Sequence, residues 1–163
     1  HSTDYQKKST LKQLVKNNFK FLKVGPELTF NYSRALFMME SIEKKFCKVK
    51  NSNIKKSILS SMMKNKKYWD GYYKKNERKL FLNSKLDRMR YYLNTKPVIN
   101  SIKTIKRNIN LLDKKKIFSF LESNERKEFL FFSEKKLSNF DIIKLLYISR
   151  SLKKYFSACG YRI

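Results

Sequence analysis

Thirty-nine lysines and arginines stand against 13 aspartates and glutamates, so the chain carries a formal charge of +26 over 163 residues. No other feature restricts its folding as much. Packed alone, such a chain repels itself, whereas a phosphate backbone turns each cation into a released counterion and a gain in affinity. The charge therefore points to a polyanionic partner, and nucleic acid is the simplest one. An anionic membrane surface would need an amphipathic helix with its cations gathered on one face, but here they run from Lys7 to Arg162 on every expected element. The longest apolar runs, Ala35 to Met39 and Phe129 to Phe132, fall far short of the roughly 18 residues that a membrane span requires.

Apolar residues make up 41% of the chain and include 13 Phe and 10 Tyr, which is too many for a disordered basic tail and enough for a real core. Chemistry-bearing residues are sparse. The one histidine is His1, so a Ser/His/Asp triad or a His-based metal site would have to be built from that position. Cys47 and Cys159 are far apart with no partner ligands beside them, which indicates inert thiols. Glu122, Glu125 and Glu128 recur at three-residue spacing and read as a solvated helix face beside Arg126 and Lys127. The expectation is a non-enzymatic protein with no cofactor, no metal and no small-molecule substrate. The scarcity of Gly (three) and Pro (two) reads as coding bias, and a start at His1 as removal of a leader.

Along the chain, Leu11, Leu14, Val15, Phe19 and Leu22 recur at near-helical spacing until Gly25-Pro26, which makes residues 1–30 a basic N-terminal extension. From Asn31 to about Lys45 an apolar stripe of Ala35, Leu36, Met39 and Ile42 predicts a helix. Phe46 to Lys50 alternates apolar and basic residues and reads as a strand. Asn51-Ser52-Asn53 supplies a helix cap, and Ile54, Ile58, Leu59 and Met62 line the face of the helix that follows. The segments Tyr68–Tyr73, Lys79–Leu82 and Leu86–Leu93 favour strands, with a turn at Lys74-Lys75-Asn76-Glu77. A second lobe begins after Asn94-Thr95-Lys96-Pro97, with expected strands at Val98–Ile105, Ile117–Leu121 and Glu128–Ser133 and a terminal helix capped by Ser138. The expected fold is α+β in two small lobes: residues 31–95 a helix–strand–helix with an antiparallel sheet, and residues 96–163 mostly β with a terminal helix.

The stretch Val49-Lys50-Asn51-Ser52-Asn53-Ile54-Lys55-Lys56-Ser57-Ile58-Leu59, followed by Met62, Tyr68 and Gly71-Tyr72, resembles the strand–helix–strand core of the bacterial-type small-subunit ribosomal protein eight family. The stretch Arg90-Tyr91-Tyr92-Leu93-Asn94-Thr95-Lys96-Pro97-Val98-Ile99-Asn100-Ser101-Ile102-Lys103 is similar to the segment that joins that family's two lobes. What the resemblance implies is a structural constituent of a small ribosomal subunit, of diverged organellar type, that shapes the central domain of small-subunit rRNA and touches neighbouring ribosomal proteins. The implied place is the mitochondrial matrix, with the plastid as alternative, and the implied process is translation.

The residues expected to grip RNA are Ser52, Lys55 and Lys56 at the first capped helix, Lys103, Lys106 and Arg107 after the joining segment, and Ser133, Lys135 and Lys136 in a loop leading to Ser138. Distributed cations with a few hydroxyls suit phosphate and 2′-hydroxyl contacts. Two other functions fit the charge: a different basic nucleic-acid-binding module, and a basic helical interaction protein. Circular dichroism separates the last of these, because a purely helical chain would lack the strands expected from Tyr68 to Ile105.

Overall fold

The computed structural model describes residues 3–74 and 76–161, with the side chain of Arg78 left aside, so His1, Lys75 and Arg162 lie outside the described residues. Within them the chain runs α1 (Lys8–Lys16), α2 (Pro26–Phe46), α3 (Ile54–Lys64), α4 (Arg78–Asn83), a 3-10 helix (Arg88–Tyr92), α5 (Lys96–Asn110), α6 (Lys114–Phe120), α7 (Ser123–Ser133) and α8 (Asn139–Ala158). No strand is formed among the described residues. The α+β expectation, with its antiparallel sheet and β-rich second lobe, is therefore overturned.

Each expected strand has a specific replacement. Phe46 closes α2 and the residues after it are loop; Tyr68–Tyr73 is a run of turns; Lys79–Leu82 lies inside α4; Leu86–Leu93 contains the 3-10 helix. Val98–Ile105 is the middle of α5, where Val98, Ser101, Ile105, Asn108 and Ile109 are buried. Those spacings of three and four place one face inward, and this period outweighs the β-branched composition that suggested a strand. Pro97 sits in the first turn of α5, where its missing N–H costs nothing. Ile117–Leu121 and Glu128–Ser133 fall within or at the ends of α6 and α7, which begin on an Asp113 cap and on a Glu122/Glu125 capping box.

The two longest helices, α2 and α8, pack against each other, with α3 and α5 on one side and α7 against α8. Ala35, Leu36, Met39 and Ile42 of α2 share one core with Ile54, Ile58 and Met62 of α3, Val98, Ile105 and Ile109 of α5, and Ile142, Ile143 and Leu146 of α8. Each such Val, Leu, Ile or Met side chain contributes about 1.5–3 kcal/mol by leaving water. Trp69 joins the same core, donating its indole N–H to the Met62 carbonyl at 2.7 Å. A smaller cluster of Leu11, Tyr155 and Ala158 seats α1 on the last turns of α8. Among the described residues no helix is long and apolar enough to cross a membrane.

Candidate functional site

The charge has an inverse that the sequence alone did not expose. Five of the 13 acidic residues are buried, namely Glu27, Glu40, Glu43, Asp87 and Glu125, while among the described residues no lysine or arginine is. A buried carboxylate is costly unless hydrogen bonds or cations meet it, so each marks a designed junction. The densest junction lies at the start of α2. There residues 3–6, 23–29, 84–90 and 154–155 converge, segments as much as 152 positions apart in sequence.

Gly25-Pro26 turns the chain into α2, which begins without a side-chain cap of its own. The cap comes from afar: Asp4 Oδ1 accepts from the Gly25 N–H at 2.9 Å and from the Glu27 N–H at 2.8 Å. A carboxylate here meets the partial positive charge of a 21-residue helix. Glu27 in turn accepts from the Tyr5 N–H (2.6 Å) and the Tyr155 hydroxyl (3.0 Å) and pairs with the Lys154 ammonium (2.6 Å). Tyr155 and Lys154 belong to α8, so one carboxylate ties the N-terminal segment to both long helices. Burial, with the nearby carboxylates, pushes the hydroxyls of Tyr5 and Tyr155 upward, which keeps them neutral donors.

Asp87 closes the junction from the far side. It is 1% exposed, it accepts a hydrogen bond from the Thr29 hydroxyl, and its Oδ1 is buried with no hydrogen-bond partner. Burial pushes its carboxyl up to about 6, against the pull of the Thr29 hydrogen bond, Arg90 and Arg34. Both Asp87 (φ +48°) and Tyr5 (φ +62°) hold left-handed backbone, a strained conformation for residues other than glycine that persists where surrounding contacts over-determine it. Tyr5 reaches across to donate to the Lys85 carbonyl at 2.9 Å.

A carboxyl raised by folding binds its proton more tightly in the native state. Its favourable contribution is therefore full below about pH 4, falls as pH rises through about 6, and levels off above. Asp87→Asn removes that dependence and suits the left-handed backbone. The variant is expected to match wild type at pH 4 and to be more stable at pH 8, by at most about 3 kcal/mol. Paired denaturant titrations check this, and equal stability differences at both pH values would contradict it.

The residues expected to bind RNA fall into three groups on different elements. Ser52 is buried, and its N–H and hydroxyl both donate to Glu43 Oε2, at 2.9 and 2.6 Å. It is thus spent inside the protein rather than capping α3, whose cap residue Asn53 makes no side-chain capping bond. Lys55 and Lys56 occupy the first turn of α3. Lys103, Lys106 and Arg107 are exposed along α5. Ser133 ends α7 and donates to the Phe129 carbonyl at 2.7 Å, while Lys135 stands 5.2 Å from the Phe131 ring and Lys136 is exposed. The face expected to be solvated at Glu122, Glu125 and Glu128 is partly internal: Glu125 is buried and paired with Arg150 at 3.0 Å. Asp4, Glu27, Asp87 and Glu43 went unnoticed in the sequence. The available signal was their rarity, together with the position of Glu27 in the first turn after Gly25-Pro26.

A family model described as "D-tagatose-1,6-bisphosphate aldolase subunit GatZ/KbaZ-like" matches residues 1–160. The D-tagatose-1,6-bisphosphate aldolase subunit GatZ of Escherichia coli O1:K1 is 34% identical over 117 residues, covering 69% of this chain and 28% of that protein. The corresponding subunit of Escherichia coli strain SMS-3-5 is 33% identical with the same coverage. The crystal structure of a probable tagatose 6 phosphate kinase from Sinorhizobium meliloti 1021 superimposes with a TM-score of 0.81 at 27% identity, over 98% of this chain and 42% of that one. The chain thus spans less than half the length of the relatives it matches. These matches overturn the ribosomal reading: its family, its rRNA and ribosomal-protein partners, its organellar place and its role in translation, along with the general nucleic-acid-binding alternative and the non-enzymatic expectation. The physical reason is that Arg90–Lys103 forms a 3-10 helix and the first half of α5 rather than a joining strand.

Proposed function

This chain belongs to the D-tagatose-1,6-bisphosphate aldolase subunit GatZ/KbaZ-like family, and on that premise we propose that it serves as a helical segment of an aldolase subunit acting on a phosphorylated ketose. The observation that carries this reading is the match to the family model across residues 1–160, which takes in every described helix. The names of the relatives differ on the reaction, aldolase subunit against probable kinase, and agree on phosphorylated tagatose as the substrate. An overall charge of +26 is compatible with handling a bisphosphate, because it raises the local concentration of anions.

Within that role the junction at the start of α2 is a positioning device. It fixes the N-terminal segment across α2 and α8 through the Asp4 cap and the Glu27–Lys154 pair, which supports a role in holding chain. The reading is tested by assembly. The GatZ subunit of Escherichia coli O1:K1 is built with its matching segment replaced by this chain, and its retention in the aldolase complex is measured. Retention is the expected result. A chimera that folds and yet separates from the complex would overturn the proposal.

A further inference from the structure

The turns after α3 and the 3-10 helix together build an aromatic and cationic face on the surface. Trp69 and Tyr73 point into the core, where both rings pack on Phe81, with centroids 4.7 and 5.5 Å apart. That inner pair fixes an outer one: Tyr72 is 53% exposed and Tyr68 is half-buried. The 3-10 helix is divided in the same way, with Met89 and Tyr92 buried and Tyr91 exposed. Tyr68 stacks on Tyr91 at 4.8 Å with 19° between the ring planes, so two segments remote in sequence share one outer face.

Arg88 stands in the middle of this face. Its guanidinium lies 3.3 Å from the Tyr72 ring centroid and 5.9 Å from that of Tyr91. Among the described residues the group makes no hydrogen bond or ion pair, and of its three nitrogens only Nε is closed off from solvent. A planar fork of donors is thus held by rings and left open at its end, a geometry that receives a carboxylate through two parallel bonds. Arg90 is engaged by contrast, donating to the Leu86 and Asp87 carbonyls at 2.8 and 2.9 Å and to the Tyr91 hydroxyl at 2.7 Å. Residues 64–74 and 85–91 carry seven lysines and arginines against two acids, Asp70 and the buried Asp87.

We propose that this face docks an acidic segment of a partner protein, with an aspartate or glutamate carboxylate forked onto Arg88 and apolar contacts on Tyr72 and Tyr91. Tyrosine and arginine are the residues on which protein interfaces concentrate their affinity, and here they are already held in one arrangement. Charge complementarity selects an acidic partner over a second copy, since two chains of +26 repel each other. The rings are stacked on one another and on guanidinium groups, so they turn edges and hydroxyls outward rather than offering open faces to nucleobases. The inference stands on this face and does not require the aldolase reading.

The test is fluorescence anisotropy of the full chain with a labelled peptide that alternates glutamate and leucine, at physiological ionic strength, where charges beyond about 8 Å are screened. Arg88→Lys keeps the charge and loses the planar fork, and is expected to weaken binding about tenfold. Tyr72→Ala, which removes the ring beneath Arg88, should weaken it by about the same factor. Lys103→Ala with Lys106→Ala takes two charges from α5 and should change affinity less than about twofold. A photo-cross-linker on the peptide should label residues 66–72 or 88–91. Equal affinity for wild type and Arg88→Lys, labels spread over the chain, or no binding at all would overturn the site. Tighter binding of an oligouridylate at the same residues, or a dimer in sedimentation that Arg88→Lys dissolves, would overturn the acidic partner in favour of nucleic acid or a second copy. None of these readouts involves the aldolase complex, so the two proposals fail separately.

Discussion

Ile58→Asp is expected to abolish cooperative thermal unfolding of this chain. Ile58 is 0% exposed in the centre of α3, on one stripe with Ile54 and Met62, and it faces the core shared by α2, α5 and α8. Loss of the apolar side chain removes about 1.5–3 kcal/mol of burial. An unpaired carboxylate in the same place adds several kcal/mol more, because Ile58 is fully buried among apolar side chains. The total rivals the roughly 5–15 kcal/mol by which a domain of this size is stable. Ile58→Val, which keeps the shape and removes one methyl group, should cost only about 0.5–1.5 kcal/mol. Differential scanning calorimetry of the three proteins checks both halves, and an Ile58→Asp melt close to wild type would show that the α3 stripe is not core.

The second large effect belongs to Glu43. Fully buried near the end of α2, it accepts from the Ser52 N–H and hydroxyl and, at 2.6 Å, from the Asn108 carboxamide of α5. Asn108 also donates to the Lys50 carbonyl at 3.0 Å, so one carboxylate organises the whole loop between α2 and α3. Glu43→Ala strands three buried donors at once. At about 1–3 kcal/mol for each group left unsatisfied, less some relaxation, the expected loss is about 3–5 kcal/mol. Denaturant unfolding should show a lower midpoint with an unchanged slope. A loss below about 1 kcal/mol would mean that water replaces the carboxylate without penalty.

How far the sequence could be read depended on which period a segment carried. The helices expected around Ala35–Ile42 and Ile54–Met62 are present because buried residues in each trace a face at steps of three and four, Ala35, Met39 and Ile42 in one and Ile54, Ile58 and Met62 in the other. Ser138 caps α8 through its hydroxyl, as the residues there suggest, accepting from the Asp141 N–H at 3.2 Å. Val98–Ile105 misled because β-branched residues were weighed above their spacing, although Val98, Ile105 and Ile109 trace one helical face. The three glycines and two prolines, put down to coding bias, also leave a chain with few interruptions, and both prolines sit in the first turns of α2 and α5.

The junction was less legible than the helices. Asp4 capping a helix that starts 22 positions later is a long-range contact, and nothing in the local sequence of either partner announces it. The buried acids were masked by the lysines around them: counted as charge, Glu40, Glu43 and Asp87 vanish into +26, whereas counted as hydrogen-bond acceptors they organise the structure. Of the residues singled out for RNA, Ser52 is absorbed by Glu43, while Lys55 and Lys56 lie in the first turn of α3.

The proposal that this helical chain is a working part of an aldolase subunit is tested most directly by catalysis. With the matching segment of the Escherichia coli O1:K1 GatZ subunit replaced by this chain and the complex purified, the rate of D-tagatose 1,6-bisphosphate cleavage is measured against the unmodified enzyme. The expected result is cleavage within about tenfold of the parent, a change of no more than about 1.4 kcal/mol in the barrier. A chimera that is folded and assembled but leaves cleavage at the level of the complex without its GatZ subunit would contradict it.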